Sequence, residues 1–428
     1  MTQAPAAHPS RGRAPDDLGR LAQALLDDLG SITDEPGRVT RTYLSPAHAR
    51  AIDHVGGWMR ARGLATSVDA VATLRGRREA DVAPGHARTL YLGSHIDTVI
   101  DAGRLDGCLG VVAGILAVEE IARRGVRLPF ALEILAFGDE EGVRFPTALS
   151  ASSAATGTYR RDWLDVVSTD GIRLRDALVA FGCDPDDIES ARIDPARALG
   201  WLELHIEQGP QLEHWDVPLG VVTSIAGQTR MGMTLEGRAG HAGTVPMDLR
   251  RDALAGLAEI ALTVERVGRQ GTGGLVATVG RVAVFPGAGN TVPGRVEASL
   301  DVRAGADTPR LVALDRIAHE AARIAERRGL AFTLERHVDV PTCPMDDRLQ
   351  NAFARAVASL DLDVRRLPSG AGHDAMAMAR VMPAAMLFVR SQGGISHNPA
   401  EWSEPLDIGL GVEALIRAIV LLAEEEGR

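Results

Sequence analysis

TLYLGSHIDTVIDAGRLDGCLGVVAGILAVEEIARRGVRLPFALEILAF, residues 89–137, carries the reading of the fold. Its two ends, Thr89 to Gly93 and Ala131 to Phe137, are short apolar runs of strand length. Between them GVVAGILAVEEIARRG reads as a helix stopped by Gly125. Strand, helix and strand in that order are the rhythm of an α/β sheet, in which ligands gather at the carboxyl edge. Chemistry-bearing residues cluster at that edge: His95 and Asp97 end the first strand, and Asp106 sits in GRLDGCLG before the helix. In ILAFGDEEG, Asp139, Glu140 and Glu141 follow the second strand directly.

Two later apolar runs repeat the pattern. WLELHI (Trp201 to Ile206) ends with His205, and AAMLFV (Ala384 to Val389) leads into RSQGGISHNP with His397. Imidazole and carboxylate together suit Zn, Mn, Co or Ni, and His95, Asp106, Glu141, His205 and His397 could hold two ions if one carboxylate is shared. Each residue alone has a plain structural reading: Asp106 as a helix cap, His205 as a core histidine, the acidic run as a solvated turn. Their joint occurrence at strand ends favours a two-metal hydrolase. Three carboxylates in a row repel one another unless cations or solvent absorb the charge. Asp97, two residues beyond His95, can brace an imidazole.

Helices are expected from about Asp16 to Leu29 and from Ser45 to Arg62, with residues up to about Pro15 a loose tail. From Val222 to Val340 the pattern becomes β-α-β-β-α-β: TRMGMTLEG, a helix from Arg251 to Val267, LVATVGRVAVF, RVEASLDVRAG, a helix from Thr308 to Arg328, and FTLERHVD. That order predicts a ferredoxin-like α+β domain, 222–340, inserted into an α/β catalytic domain with a central mixed sheet, 16–221 and 341–428. Hinges would then fall near Val222 and Val340.

Composition narrows the function. The 428 residues are 45% hydrophobic and 24% charged, enough for two cores, and the net charge of -11 argues against a nucleic-acid partner. All 46 basic residues are Arg, which excludes a lysine Schiff base and a P-loop lysine. Cys108, Cys183 and Cys343 offer neither a disulfide framework nor a Cys-x-x-Cys knuckle. With no signal-peptide core and no apolar run of membrane-spanning length, a cytoplasmic location is expected.

On the five candidate ligands together with HIEQGP (His205 to Pro210) and GGISHNPAE (Gly393 to Glu401), the chain resembles the M20-type dinuclear metallo-amidohydrolases, in the ureido hydrolase branch. That branch holds allantoate amidohydrolases, N-carbamoyl-L-amino-acid hydrolases and β-ureidopropionases. The resemblance implies one ion on His95, Asp106 and His205 and another on Asp106, Glu141 and His397. It makes Glu140 the general base and Asp97 the residue that orients His95. His241 in GRAGHAGTVPM would reach the neighbouring subunit's site in a homodimer and stabilise the oxyanion. Arg303 would grip the substrate carboxylate, aided by Gln208, Asn290, Ser369 and Gly370, with His373 packing nearby. AFGDEEGVRF and MLFVRSQGGISHNP look closest to allantoate amidohydrolases, while SASSAATG (Ser150 to Gly157) departs from the family, with Ala151 and Ser153 in place of Gly and a basic residue. A peptidase or aminoacylase of the wider superfamily is the other reading.

Overall fold

The computed structural model describes residues 12–82 and 87–427. The chain divides into two compact units, Met1–Val222 with Met345–Arg366 and His373–Arg428, and Thr223–Pro344 with Leu367–Gly372. The first eleven residues, most of the expected loose tail, lie outside the described residues. Arg13, which that expectation also covered, is tethered: its guanidinium meets Glu119 and Glu120.

The first unit opens with helices α1 (Pro15–Gly30) and α2 (Pro46–Ala61), the second capped by the Ser45 hydroxyl on the His48 N–H. Its sheet uses β1 (Ala65–Val68), β2 (Leu74–Arg78), β3 (Thr89–His95), β4 (Ala131–Phe137), β5 (Ala198–Ile206), β6 (Leu219–Ile225) and the returning strand Ala384–Val389. The order is β1-β2-β4-β3-β5, then Ala384–Val389, then β6. β4, β3, β5 and Ala384–Val389 run parallel, and β2 and β6 pair antiparallel at either side. Every residue of β3, β4 and β5 is buried, as parallel strands covered on both faces require. Helix α3 (Cys108–Arg123), the crossover from β3 to β4, packs on all three. Parallel order brings the carboxyl ends of β3, β4, β5 and Ala384–Val389 to one edge, which is why residues far apart in sequence meet there.

The second unit is built from β7 (Gly227–Glu236), β8 (Gly240–His241), β9 (Val276–Phe285), β10 (Thr291–Val292), β11 (Arg295–Ala304) and β12 (Ala331–Val340). Its four-stranded antiparallel sheet has the order β12-β7-β11-β9, with helices Ala253–Gln270 and Asp307–Arg327 between its strands in sequence. Met233, Leu235, Leu257, Ile260, Val296, Leu300, Ile317 and Ala321 form its core. Leu367–Gly372, read from sequence as part of the larger domain, belongs by its contacts to this unit. The Ala226 N–H donates to Ser369 O, and Arg303 donates to Gly370 O at 2.8 Å.

Candidate active site

β3 ends on His95, and its ring is buried against three carboxylates. Nε2 lies 3.7 Å from Asp106 Oδ1 and 3.9 Å from Glu140 Oε2. Burial alone would lower its pKa, but Glu140, Asp97, Asp106 and Glu141 outweigh it and hold the imidazole well above its ordinary value. The brace on its other nitrogen differs from the sequence expectation: Nδ1 is 3.0 Å from the Asp97 backbone oxygen, whereas the Asp97 carboxylate stands 3.7 Å away. That carboxylate accepts the backbone N–H groups of Glu140 and Glu141, both at 3.3 Å.

Asp106 is the centre of the cluster. Its Oδ1 is 3.2 Å from His205 Nε2, and its Oδ2 is 3.2 Å from His397 Nε2. Burial works against its charge, yet the hydrogen bonds to His205 and His397 keep the carboxyl well below its ordinary range. It does not cap α3, whose N-cap is Gly107 with no side-chain bond. Instead the Cys108 N–H donates to the Asp106 carbonyl at 2.7 Å, closing a three-residue γ-turn over Gly107 at φ 65 and ψ -51. A Cβ on Gly107 would sit 2.4 Å from the His95 ring, so the turn and the ring fit only around glycine.

The acidic turn resolves into two directions. Asp139, at φ 60, turns away to accept the Thr147 hydroxyl at 2.6 Å. Glu140 and Glu141 face the cluster, with Glu141 Oε2 3.5 Å from His397 Nε2. Burial raises Glu140 well above its ordinary value and pushes Glu141 up to about 7. His397, eight residues beyond its strand, is half exposed at φ 54, and its hydrogen bond to Asp106 raises it to about 9.

Among the described residues, four groupings have ligand atoms within 4.8 Å of one another: His95, Asp106 and His205; Asp106, Glu141 and His397; His95, Glu140 and Glu141; and Glu203, His205 and His373. Asp97, Asp106, Glu140, Glu141 and Glu203 thus crowd five carboxyl groups beside the imidazoles of His95, His205 and His397. Imidazole and carboxylate donors at this spacing suit a divalent cation.

Gln208, at φ 58, donates to Asp106 Oδ2 at 2.7 Å and so belongs to the cluster. His373 is buried with its ring 4.4 Å from that of His205, edge to face. His241, Asn290, Arg303, Ser369 and Gly370 all lie in the second unit. There His241 in β8 pairs with Thr291 in β10, and Ala242 N–H donates to Asn290 O at 2.9 Å. Two residues far apart in sequence are thus brought together by one short antiparallel ladder. Arg303 is braced rather than free: Nε donates to Asp301 Oδ1 at 2.9 Å.

Sequence reasoning passed over Glu203, which accepts Ser94 Oγ at 2.7 Å, Trp201 Nε1 at 3.0 Å and the Ala375 N–H at 3.2 Å. The signal was available, since Glu203 is a charged residue on a wholly buried strand, two places before His205 and therefore on its face. Asp374, next to His373, was missed as well, and burial pushes it up to about 8.

Known proteins resemble this chain along nearly its whole length. Allantoate deiminase of Arabidopsis thaliana is 39% identical, covering 92% of this chain and 81% of its own. N-carbamoyl-L-amino acid amidohydrolase of Geobacillus stearothermophilus is also 39% identical, covering 95% of this chain and 99% of its own. An amidase of the hydantoinase/carbamoylase family from Burkholderia multivorans superposes with a TM-score of 0.87 at 32% identity, covering 95% and 98% of the two chains. The sequence profile described as Peptidase family M20/M25/M40 matches residues 91–420, which runs from β3 through the His397 loop into the last helix; the chain belongs to that family.

Proposed function

We propose that this protein hydrolyses the carbamoyl C–N bond of a small ureido carboxylate at a centre of two divalent ions, with allantoate as substrate. An N-carbamoyl-L-amino acid or N-carbamoyl-β-alanine is the second reading, favoured by the relative from Geobacillus at the same 39% identity as the allantoate deiminase. The acidic turn AFGDEEG favours allantoate. Carrying the whole reading is one observation: Asp106 offers one oxygen to His205 and the other to His397, each at 3.2 Å.

In this reading His95, Asp106 and His205 hold one ion and Asp106, Glu141 and His397 the other, Mn or Zn by donor type, with Co or Ni also suited. When bound, such ions polarise a carbonyl and make water acidic. Glu140 takes the proton of the attacking water and returns it to the departing nitrogen. A carboxyl raised by burial is suited to carrying a proton between two such steps. The balance is R–NH–CO–NH2 + H2O → R–NH2 + CO2 + NH3.

The second unit serves as lid and dimerisation domain, its β-α-β-β-α-β order being that of a ferredoxin-like module. Arg303 binds the substrate carboxylate with two parallel hydrogen bonds, held in orientation by Asp301 and Gly370. His241 and Asn290, joined through the short β8–β10 ladder, act together there, with Ser369, Gly370 and Gln208 as polar contacts. β9 is one of the two edge strands of the sheet and exposes Val276, Val282 and Phe285, which supports pairing with a second copy and a homodimer in which His241 serves the neighbouring site. Among the described residues no helix is long and apolar enough to cross a membrane, and the cysteines form no disulfide, in keeping with a reducing cytoplasm.

The test is ammonia release by protein reloaded with Mn against a chelated control, on allantoate and on a panel of N-carbamoyl-L-amino acids. Metal-dependent turnover of allantoate is expected. Preference for carbamoyl amino acids overturns the substrate but not the chemistry, and cleavage of dipeptides or N-acyl amino acids alone overturns both.

A further inference from the structure

Glu401 lies outside every role considered so far. Its Oε1 accepts the Leu105 N–H at 2.8 Å and the Asp106 N–H at 3.2 Å, while its Oε2 accepts the Ser396 hydroxyl at 2.8 Å. The side chain is buried, and a Cβ on Gly103 would stand 2.1 Å from Oε1, so the chain beneath it is pared down to glycine. One carboxylate therefore grips two loops that are 290 residues apart, the turn of Asp106 and the loop of His397.

That grip falls on the residue just before His397, in a loop also tied by the Gly393 N–H to Glu213 at 3.0 Å and by Gln208 to Ser396 at 3.2 Å. His397 is half exposed, sits at φ 54, and follows directly on Ser396. The Ser396 hydroxyl is also 3.0 Å from Asp106 Oδ2, but it has one proton to give. Glu401 Oε2, at 2.8 Å, is the nearer acceptor for that proton, and Asp106 Oδ2 also meets Gln208 and His397. We propose that Glu401 is a positioning residue: by clamping the Asp106 turn to the Ser396–His397 loop it sets the separation of Asp106 and His397, and with it the affinity of the triplet Asp106, Glu141 and His397 for its ion. This rests on the two-ion reading of the centre.

Two variants separate its parts. In Glu401→Gln the amide oxygen still accepts the Leu105 and Asp106 N–H groups, but the amide nitrogen donates to Ser396, which turns the serine proton toward Asp106. In Glu401→Ala both links are lost. Metal-free protein is titrated with Co against a competing chelator, the absorption bands of the bound ion are followed, and the melting temperature of the metal-free form is recorded alongside. We expect wild type to take two ions. Glu401→Ala is expected to weaken the ion of Asp106, Glu141 and His397 by about 10- to 100-fold, and the other, which keeps His95 and His205, by clearly less. Glu401→Gln is expected to fall between them, with a melting temperature like wild type and altered bands for the weakened ion alone. Unchanged affinities in both variants, or equal loss of both ions, overturn the role of Glu401 while leaving the two-ion centre standing. A wild type that takes only one ion overturns that centre and this proposal with it.

Discussion

The carboxylate of Asp97 accepts the backbone N–H of Glu140 at 3.3 Å, and its second oxygen accepts that of Glu141 at the same distance. Asp97 thus fixes the acidic turn as a unit, and it reaches His95 through its main chain instead. Asp97→Asn keeps one acceptor but presents an amide NH2 to the other N–H, so the turn must shift. A fall of about 10- to 100-fold in kcat or in metal affinity is expected. Metal content and steady-state rates measured together check this, and a variant indistinguishable from wild type in both would remove the clamp from the account.

The proposed function gives the neighbours Glu140 and Glu141 different work, and substitution should tell them apart. Glu140→Gln is expected to retain both ions and to lose about 10²- to 10⁴-fold in kcat, the usual scale for a proton-transfer group. Glu141→Gln should instead lose one ion. If Glu140→Gln also arrives without metal, Glu140 is a ligand and not the base.

Gly107 carries a strain that only its lack of a side chain makes tolerable. At φ 65 and ψ -51 it occupies the γ-turn region, and an added Cβ would meet the His95 ring at 2.4 Å. Gly107→Ala should cost about 1–3 kcal/mol of stability from the backbone alone. It should also weaken metal binding, because His95 must move. Denaturant midpoints of the metal-free protein report the first effect and chelator competition the second; loss of stability with unchanged metal affinity would mean that the ring has room to yield.

Periodicity made β3, β4, β5 and α3 legible, because a parallel sheet buried on both faces writes itself as unbroken apolar runs. The same runs made the residues at their ends stand out. What stayed hidden depends on direction rather than on residue type. Asp139, Glu140 and Glu141 are alike in sequence, and only the positive φ of Asp139 sends one away and two inward. Leu367–Gly372 carries no composition of its own, and it joins the second unit through main-chain bonds such as Ala226 N–H to Ser369 O. Glu203 and Glu401 were visible as letters, but their partners come from segments that only the fold brings near.

Acid stability offers a prediction independent of the metal centre. His48 is fully buried in α2, where its Nδ1 accepts the Leu44 N–H at 3.2 Å, and burial, aided by the Arg41 charge, lowers its pKa to about 3. A proton on Nδ1 would set two donors face to face. The unfolded chain has no such constraint and takes up the proton near pH 6.5. Because the folded value is depressed, the unfolded state binds more protons between about pH 6.5 and pH 3, so stability rises with pH through that window and falls on acidification. The slope from this one group approaches about 1.4 kcal/mol per pH unit. His48→Asn can still accept the Leu44 N–H through its side-chain oxygen but cannot titrate. Urea unfolding of metal-free wild type and variant at pH 7, 6, 5 and 4 should give curves that converge as the pH falls, the variant losing less stability at each step. Parallel curves would show that His48 is already charged in the folded protein, or that the loop around it opens on protonation.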